Sequence, residues 1–271
     1  MDLLTLLQYE FAQKALLASL LVSIACGIMG PLIIINRQVA MAGGITHAAY
    51  GGLGLAGFLG IPMLLGASFF TLLMSLLIAF LTQKNKASAD AVIGVIWAFG
   101  MSFGIILIDL TPGYARDLLG FLFGSIITVS PLDLYLMGVS DLFFLALILL
   151  FYRQFCALSF DPVFASLRGV KILRFHYLLV AMMAFCVVLV IQVVGLIMVV
   201  ALLCIPSFLA QMFCKKLGAM MLASSALSLC FCLAGFYLSF TQNLSSGACI
   251  IMVACTVFFA VFAVFRGLGR V

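Results

Sequence analysis

This sequence predicts an all-α integral membrane fold, a polytopic helical bundle of about nine transmembrane helices, on three observations. Hydrophobic residues make up 67% of its 271 residues and charged residues only 8%, far too little polar surface for a water-soluble chain of this size. Apolar runs recur along its whole length, each close to the ~20 residues that carry a helix across a ~30 Å hydrocarbon layer. No stretch shows the dyad alternation of a membrane β-barrel strand. No polar stretch is long enough for a soluble domain, so residues 1–271 read as a single transmembrane domain.

Nine spans are expected, at 15–35, 44–60, 62–82, 89–110, 131–152, 176–194, 196–213, 217–239 and 248–265. The sixth and seventh meet at Gly195, and the second is short and glycine-rich, so eight or ten spans remain alternatives. The distribution of bases supports nine. With the N-terminus outside, Arg37, Lys84, Lys86, Arg153, Arg168, Lys171, Arg174, Lys215, Lys216, Arg266 and Arg270 all fall on the cytoplasmic side, leaving only Lys14 and Arg116 outside. That asymmetry is what the positive-inside rule requires. Residues 118–129 are apolar but too short to cross, and they read as an interfacial or re-entrant helix on the outer side.

The second span, GITHAAYGGLGLAGFLG, carries Gly43, Gly44, Gly51, Gly52, Gly54 and Gly57 in or beside it. Glycine is costly in an isolated helix, but in lipid it lets two helix backbones approach. This span is therefore expected inside the protein. His47 lies in it, roughly ten residues or ~15 Å from the inner face. An ionisable side chain at that depth is a functional candidate; the bland alternative is a neutral His bonded to a neighbouring helix. Asp141, in the fifth span, lies at similar depth, and pairing with His47 is one reading among several. Cys204 sits two residues before Pro206 in the seventh span. Its thiolate is a candidate metal ligand, and the proline removes one helical hydrogen bond and bends the span. Trp97 and the phenylalanines read as packing and lipid contact.

Between the fifth and sixth spans, residues 153–175 hold four basic residues and a short helix with its own punctuation. Asp161 is a candidate N-cap, Pro162 suits the first helical position, and Gly169 is a natural stop. Val163, Phe164 and Leu167 share one face around Ala165. Such an element either docks a partner or lies on the headgroups.

Several classes are excluded. There is no GxxxxGK[ST] phosphate loop, so this chain is not expected to hydrolyse ATP. The nine cysteines are scattered, and only Cys230 and Cys232 form a close pair, without the second pair of a zinc site. The net charge of +5 suits loops near anionic lipid and gives no reason to invoke nucleic acid. The start has two acids and one late base, so the first span is expected to stay rather than be cleaved as a signal peptide.

Several stretches, in this order, resemble the permease family of ABC importers for zinc, manganese and iron, the zinc-uptake permease group. They are RQVAMAGGITHAAYGGLGLAG at Arg37–Gly57, LFGSIITVS at Leu122–Ser130, SFDPVFASLRG at Ser159–Gly169, VGLIMVVALLCIPSFLA at Val194–Ala210, and SSGACI ending at Ile250. The resemblance covers most of the chain. It implies an all-helical importer fold related to the vitamin B12 permease group, in a bacterial cytoplasmic membrane. It implies a transport subunit and not an enzyme, with no permanently bound cofactor. It places the family's membrane histidine on His47 and the family's coupling helix on Asp161, Pro162, Val163, Phe164, Ala165, Leu167 and Gly169. The family's carboxylate one turn before the histidine falls on Gly43, so this chain lacks it. The implied partners are a second permease copy, expected as a homodimer, a cytoplasmic ATPase subunit and an extracytoplasmic metal-binding solute-binding protein.

The expected function is ATP-driven import of a divalent transition-metal cation, zinc first, with manganese or iron as alternatives. Two rival functions remain: an ABC permease for an organic ligand such as a siderophore, and a stand-alone secondary transporter. The second would need inverted repeats and several intramembrane charges, and neither is visible here.

Overall fold

The computed structural model describes residues 9–84, 88–111, 129–242 and 244–267. The helix expected at 118–129, together with Arg116, Lys86 and Arg270, lies outside these residues except for Val129. The described residues form eleven α-helices and no strand. They are α1 (Glu10–Ile35), α2 (Val39–Leu59), α3 (Met63–Lys84), α4 (Ala89–Asp109), α5 (Pro131–Leu150), α6 (Tyr152–Phe160), α7 (Pro162–Leu167), α8 (Ile172–Val194), α9 (Leu196–Phe213), α10 (Leu217–Gln242) and α11 (Ser246–Gly267).

All nine expected spans are helical. Among the described residues, eight helices are long and apolar enough to cross a membrane: α1, α3, α4, α5, α8, α9, α10 and α11. The second expected span, α2, runs 21 residues, also membrane length. Its glycines and the polar groups of Thr46, His47 and Tyr50 dilute its hydropathy.

Three helices begin four or five residues before the expected spans: α1 at Glu10, α2 at Val39 and α8 at Ile172. In α1 and α8 the added residues include charged ones, which hydropathy leaves out but backbone hydrogen bonding does not, whereas in α2 they are the apolar Val39–Ala42. The junction at Gly195 is a true break. Its φ of 84° and ψ of 163° separate α8 from α9, a conformation that a side chain disfavours. Arg37, between α1 and α2, adopts a left-handed φ of 57°, which costs a non-glycine residue roughly 1 kcal/mol.

The chain divides into two compact units. One comprises residues 1–34, 119–145 and 192–271, the other 35–118 and 146–191. In the first unit, α9, α10 and α11 pack on one another. Ser207 and Ser224 share a buried 2.8 Å hydrogen bond between α9 and α10, and a side chain at Gly235 would strike the backbone of Ile250. In the second unit, α2 packs against both α3 and α4. That unit also holds α6, α7 and most of α8, and it contains the candidate site.

Candidate functional site

Small residues decide how α2 sits. A Cβ built on Gly100 of α4 would lie 2.7 Å from the Cα of Ala48, and one on Gly104 would lie 2.5 Å from the carbonyl oxygen of Tyr50. In return, a Cβ on Gly51 would meet the carbonyl oxygen of Gly100 at 2.8 Å, and one on Gly54 would overlap Gly104. On the side facing α3, Gly52 is 2.6 Å from the Cα of Ala67 by the same measure. Both flanks of α2 are thus close backbone contacts that leave no room for a side chain at these glycines. Met41, Ala42, Ile45, Ala48, Ala49 and Ala56 are buried around these seams. The helix is held inside its unit, as its glycine content predicts.

Near the middle of this helix, His47 is half-buried. The His47 ring stacks on the indole of Trp97, with centroids 4.1 Å apart and planes 10° from parallel. The indole nitrogen in turn donates to the Met101 sulfur at 3.1 Å. Nδ1 of His47 is buried with no hydrogen-bond partner. A ring nitrogen buried without a partner carries a desolvation cost. Gly43 stands one turn earlier on the same face, and a Cβ there would meet nothing within 4 Å. The position one turn before the histidine is therefore open space, not filled by another side chain.

Trp97 packs as its hydrophobicity predicts, but its partner, the His47 ring, is not predicted by the sequence. Its signal is spacing: Ile93, Trp97, Gly100 and Gly104 lie on one stripe of α4 at helical intervals, and the glycines of that stripe face the glycines of α2. A stripe that buries glycine against a histidine-bearing helix brings its own aromatic to the same seam.

The other two candidates, Asp141 and Cys204, belong to the first unit. Asp141 is 6% exposed on α5 in the first unit, and its Oδ2 has no hydrogen-bond partner. Cys204 is a half-buried free thiol on α9. No cluster of three or more His, Cys, Asp or Glu side chains suited to a metal occurs among the described residues.

The segment 153–175 folds with the predicted punctuation and one addition, α6. Asp161 Oδ1 accepts the backbone N–H of Phe164 at 2.9 Å, Pro162 opens α7, and Gly169 ends it at φ 79°. Behind it, Asn36 donates to Ser159 Oγ at 2.9 Å, and Gln38 Nε2 lies 3.2 Å from His176 Nδ1. These contacts tie α6, α8 and the start of α2 together within one unit. On the outer side of α7, Val163 is 70% exposed, Phe164 54% and Leu167 82%, whereas Ala165 is buried.

Membrane-length helices, a glycine-seamed span bearing one histidine, and a short capped helix with an exposed apolar face make this a polytopic helical membrane protein. The chain belongs to the ABC 3 transport family, which it matches over residues 8–265. It is a multi-pass inner-membrane permease of the metal ABC importer type. It is 48% identical over 248 residues to a Synechocystis membrane protein described as uncharacterized, covering 92% of this chain and 88% of that one. It is 34% identical over 257 residues to the manganese transport system membrane protein MntC of Listeria monocytogenes, covering 95% of this chain and 91% of the relative. Among solved structures, PsaBC from Streptococcus pneumoniae in complex with Fab superimposes with a TM-score of 0.86 at 30% identity, over 95% of this chain and 92% of that chain.

Proposed function

We propose that this chain carries zinc inward, as one of two identical permeases in an importer that also contains a cytoplasmic ATPase and an extracytoplasmic metal-binding protein. His47 is the transient ligand on the pathway, and the face of Val163, Phe164 and Leu167 on α7 is where the ATPase transmits its stroke. Asp141 and Cys204 are further pathway candidates on the other unit. The observation that carries the reading is His47 itself. A buried, unpaired imidazole nitrogen beside the open space at Gly43 offers a borderline-soft donor without a hard carboxylate neighbour. That donor set suits Zn²⁺ better than Mn²⁺. Manganese is the second reading, favoured by the names of relatives such as MntC.

A single ligand per subunit gives a weak site. Weakness is useful here, because entry must be favourable while release stays possible. The test is uptake of radioactive zinc and manganese, each with the other as competitor, in cells lacking their own importers and expressing this chain with its ATPase and binding protein. Zinc uptake resisting a tenfold excess of manganese supports the proposal, and so does a drop of about tenfold (~1.4 kcal/mol) in His47→Ala at matched expression. Manganese uptake resisting zinc would assign the second reading. Unchanged uptake and unchanged preference in His47→Ala would remove His47 from the pathway.

A further inference from the structure

Beside α7, at the ends of α5 and α8, lies a cavity of about 450 Å³ that the transport reading leaves unused. Arg168, Lys171 and Arg174 stand around it, and Phe151, Phe175 and Leu178 are among its lining residues. We propose that this cavity binds the headgroup of an anionic phospholipid of the inner leaflet, with the phosphate among the three cations and the glycerol end on the aromatic floor.

Three facts argue for an anion here. The first is that the three cations share one cavity while no acidic residue lines it, and among the described residues none of the three is in an ion pair. Like charges so placed repel one another and call for a counter-charge. A second lies in the helix: Lys171 immediately precedes α8, Arg174 sits in its first turn, and that turn contains no acid. Cations at the positive end of a helix dipole are unfavourable, whereas an anion is stabilised there. Finally, the Arg168 guanidinium is already held, 5.1 Å from the centre of the Phe164 ring, so part of its ordering cost is met before a ligand arrives.

The floor and the depth select a lipid among anions. Phe151 and Phe175 pack edge-to-face at 5.5 Å, and Phe155 packs on Phe175 at 5.9 Å. This aromatic floor lies where two membrane helices reach the interface, the level at which aromatic rings meet headgroups. Basic cavities between membrane helices on the cytoplasmic side have the chemistry to hold such headgroups. A soluble phosphate would have no use for an apolar floor.

The test is native mass spectrometry of the purified full-length chain, titrated with phosphatidylglycerol or with phosphatidylcholine. Preferential retention of phosphatidylglycerol is expected. The triple variant Arg168→Gln, Lys171→Gln, Arg174→Gln should hold it roughly hundredfold more weakly, at about one unit of charge attraction lost per side chain. Arg174→Lys should keep the preference, and so should Lys215→Gln with Lys216→Gln. An unchanged melting temperature of the triple variant in phosphatidylcholine separates lost binding from lost folding. Equal retention of both lipids would overturn the proposal, as would a triple variant that binds phosphatidylglycerol like the parent. Displacement of the lipid by millimolar inorganic phosphate would assign the site to a soluble anion. Loss of the retained lipid when the ATPase subunit is bound would assign the cluster to a protein contact, and either result overturns the lipid reading.

Discussion

Where α2 meets α4, side chains are reduced to hydrogen: Gly54 sits on Gly104 and Gly51 on Gly100, with backbone touching backbone. On α7, three large apolar side chains stand with little cover, Leu167 at 82% exposure. The two regions answer the same physical question in opposite ways. In lipid, apolar side chains gain nothing by meeting one another, so a tight helix pair is made by removing them. In water, exposed apolar side chains are a cost, and a capped helix that displays three of them is built for something that covers them. The first region keeps its histidine in a fixed seam, and the second is unfinished within this chain.

The largest effect should come from refilling the seam. Gly104→Leu would drive a branched side chain into the α2 backbone and cost ~3 kcal/mol or more. Its melting temperature in detergent and its metal uptake should both collapse. Gly94→Ala, on the same helix with nothing within 4 Å of the new methyl, should instead be neutral or stabilising by up to ~1 kcal/mol. Equal behaviour of the two variants would mean that close approach does not hold α2.

Next comes α7. Phe164→Asp with Leu167→Asp should leave the melting temperature unchanged, because both side chains are exposed, yet lower ATP-driven uptake by on the order of tenfold, matching ~1.4 kcal/mol of lost docking. A full rate in that variant, with the ATPase still bound, would remove α7 from the coupling path. Asp161→Ala is milder. It removes an N-cap worth ~1 kcal/mol, so uptake should drop a few-fold and recover in Asp161→Asn or Asp161→Ser. The smallest effect is expected at Gly43→Asp. Open space should receive the carboxylate, and the zinc-to-manganese uptake ratio should shift a few-fold toward manganese, the harder ion. An unchanged ratio would disconnect that face of α2 from selectivity.

These outcomes also measure how much was legible in the sequence. The punctuation of α7 was, because Asp161, Pro162 and Gly169 act on their own neighbours and need no tertiary partner. The break at Gly195 and the burial of α2 were legible for the same kind of reason, as each follows from what glycine permits. The stacking of Trp97 on His47 was not. It depends on which helix lies against α2, and hydropathy along one span contains no record of its neighbour. The early starts of α1 and α8 were missed because their first turns are polar, with Gln13 and Lys14 in one and Arg174 and His176 in the other.

The central claim is that this chain is a passive half, opened and closed through α7 by a separate ATPase. It is tested most directly in vesicles reconstituted with the permease and the metal-binding protein, with the ATPase added or withheld, by following zinc accumulation with a fluorescent indicator inside. Accumulation against a gradient is expected only with the ATPase and ATP, and is expected to vanish when Asp161–Gly169 is deleted. Concentrative uptake without the ATPase, or undiminished uptake after that deletion, would contradict it.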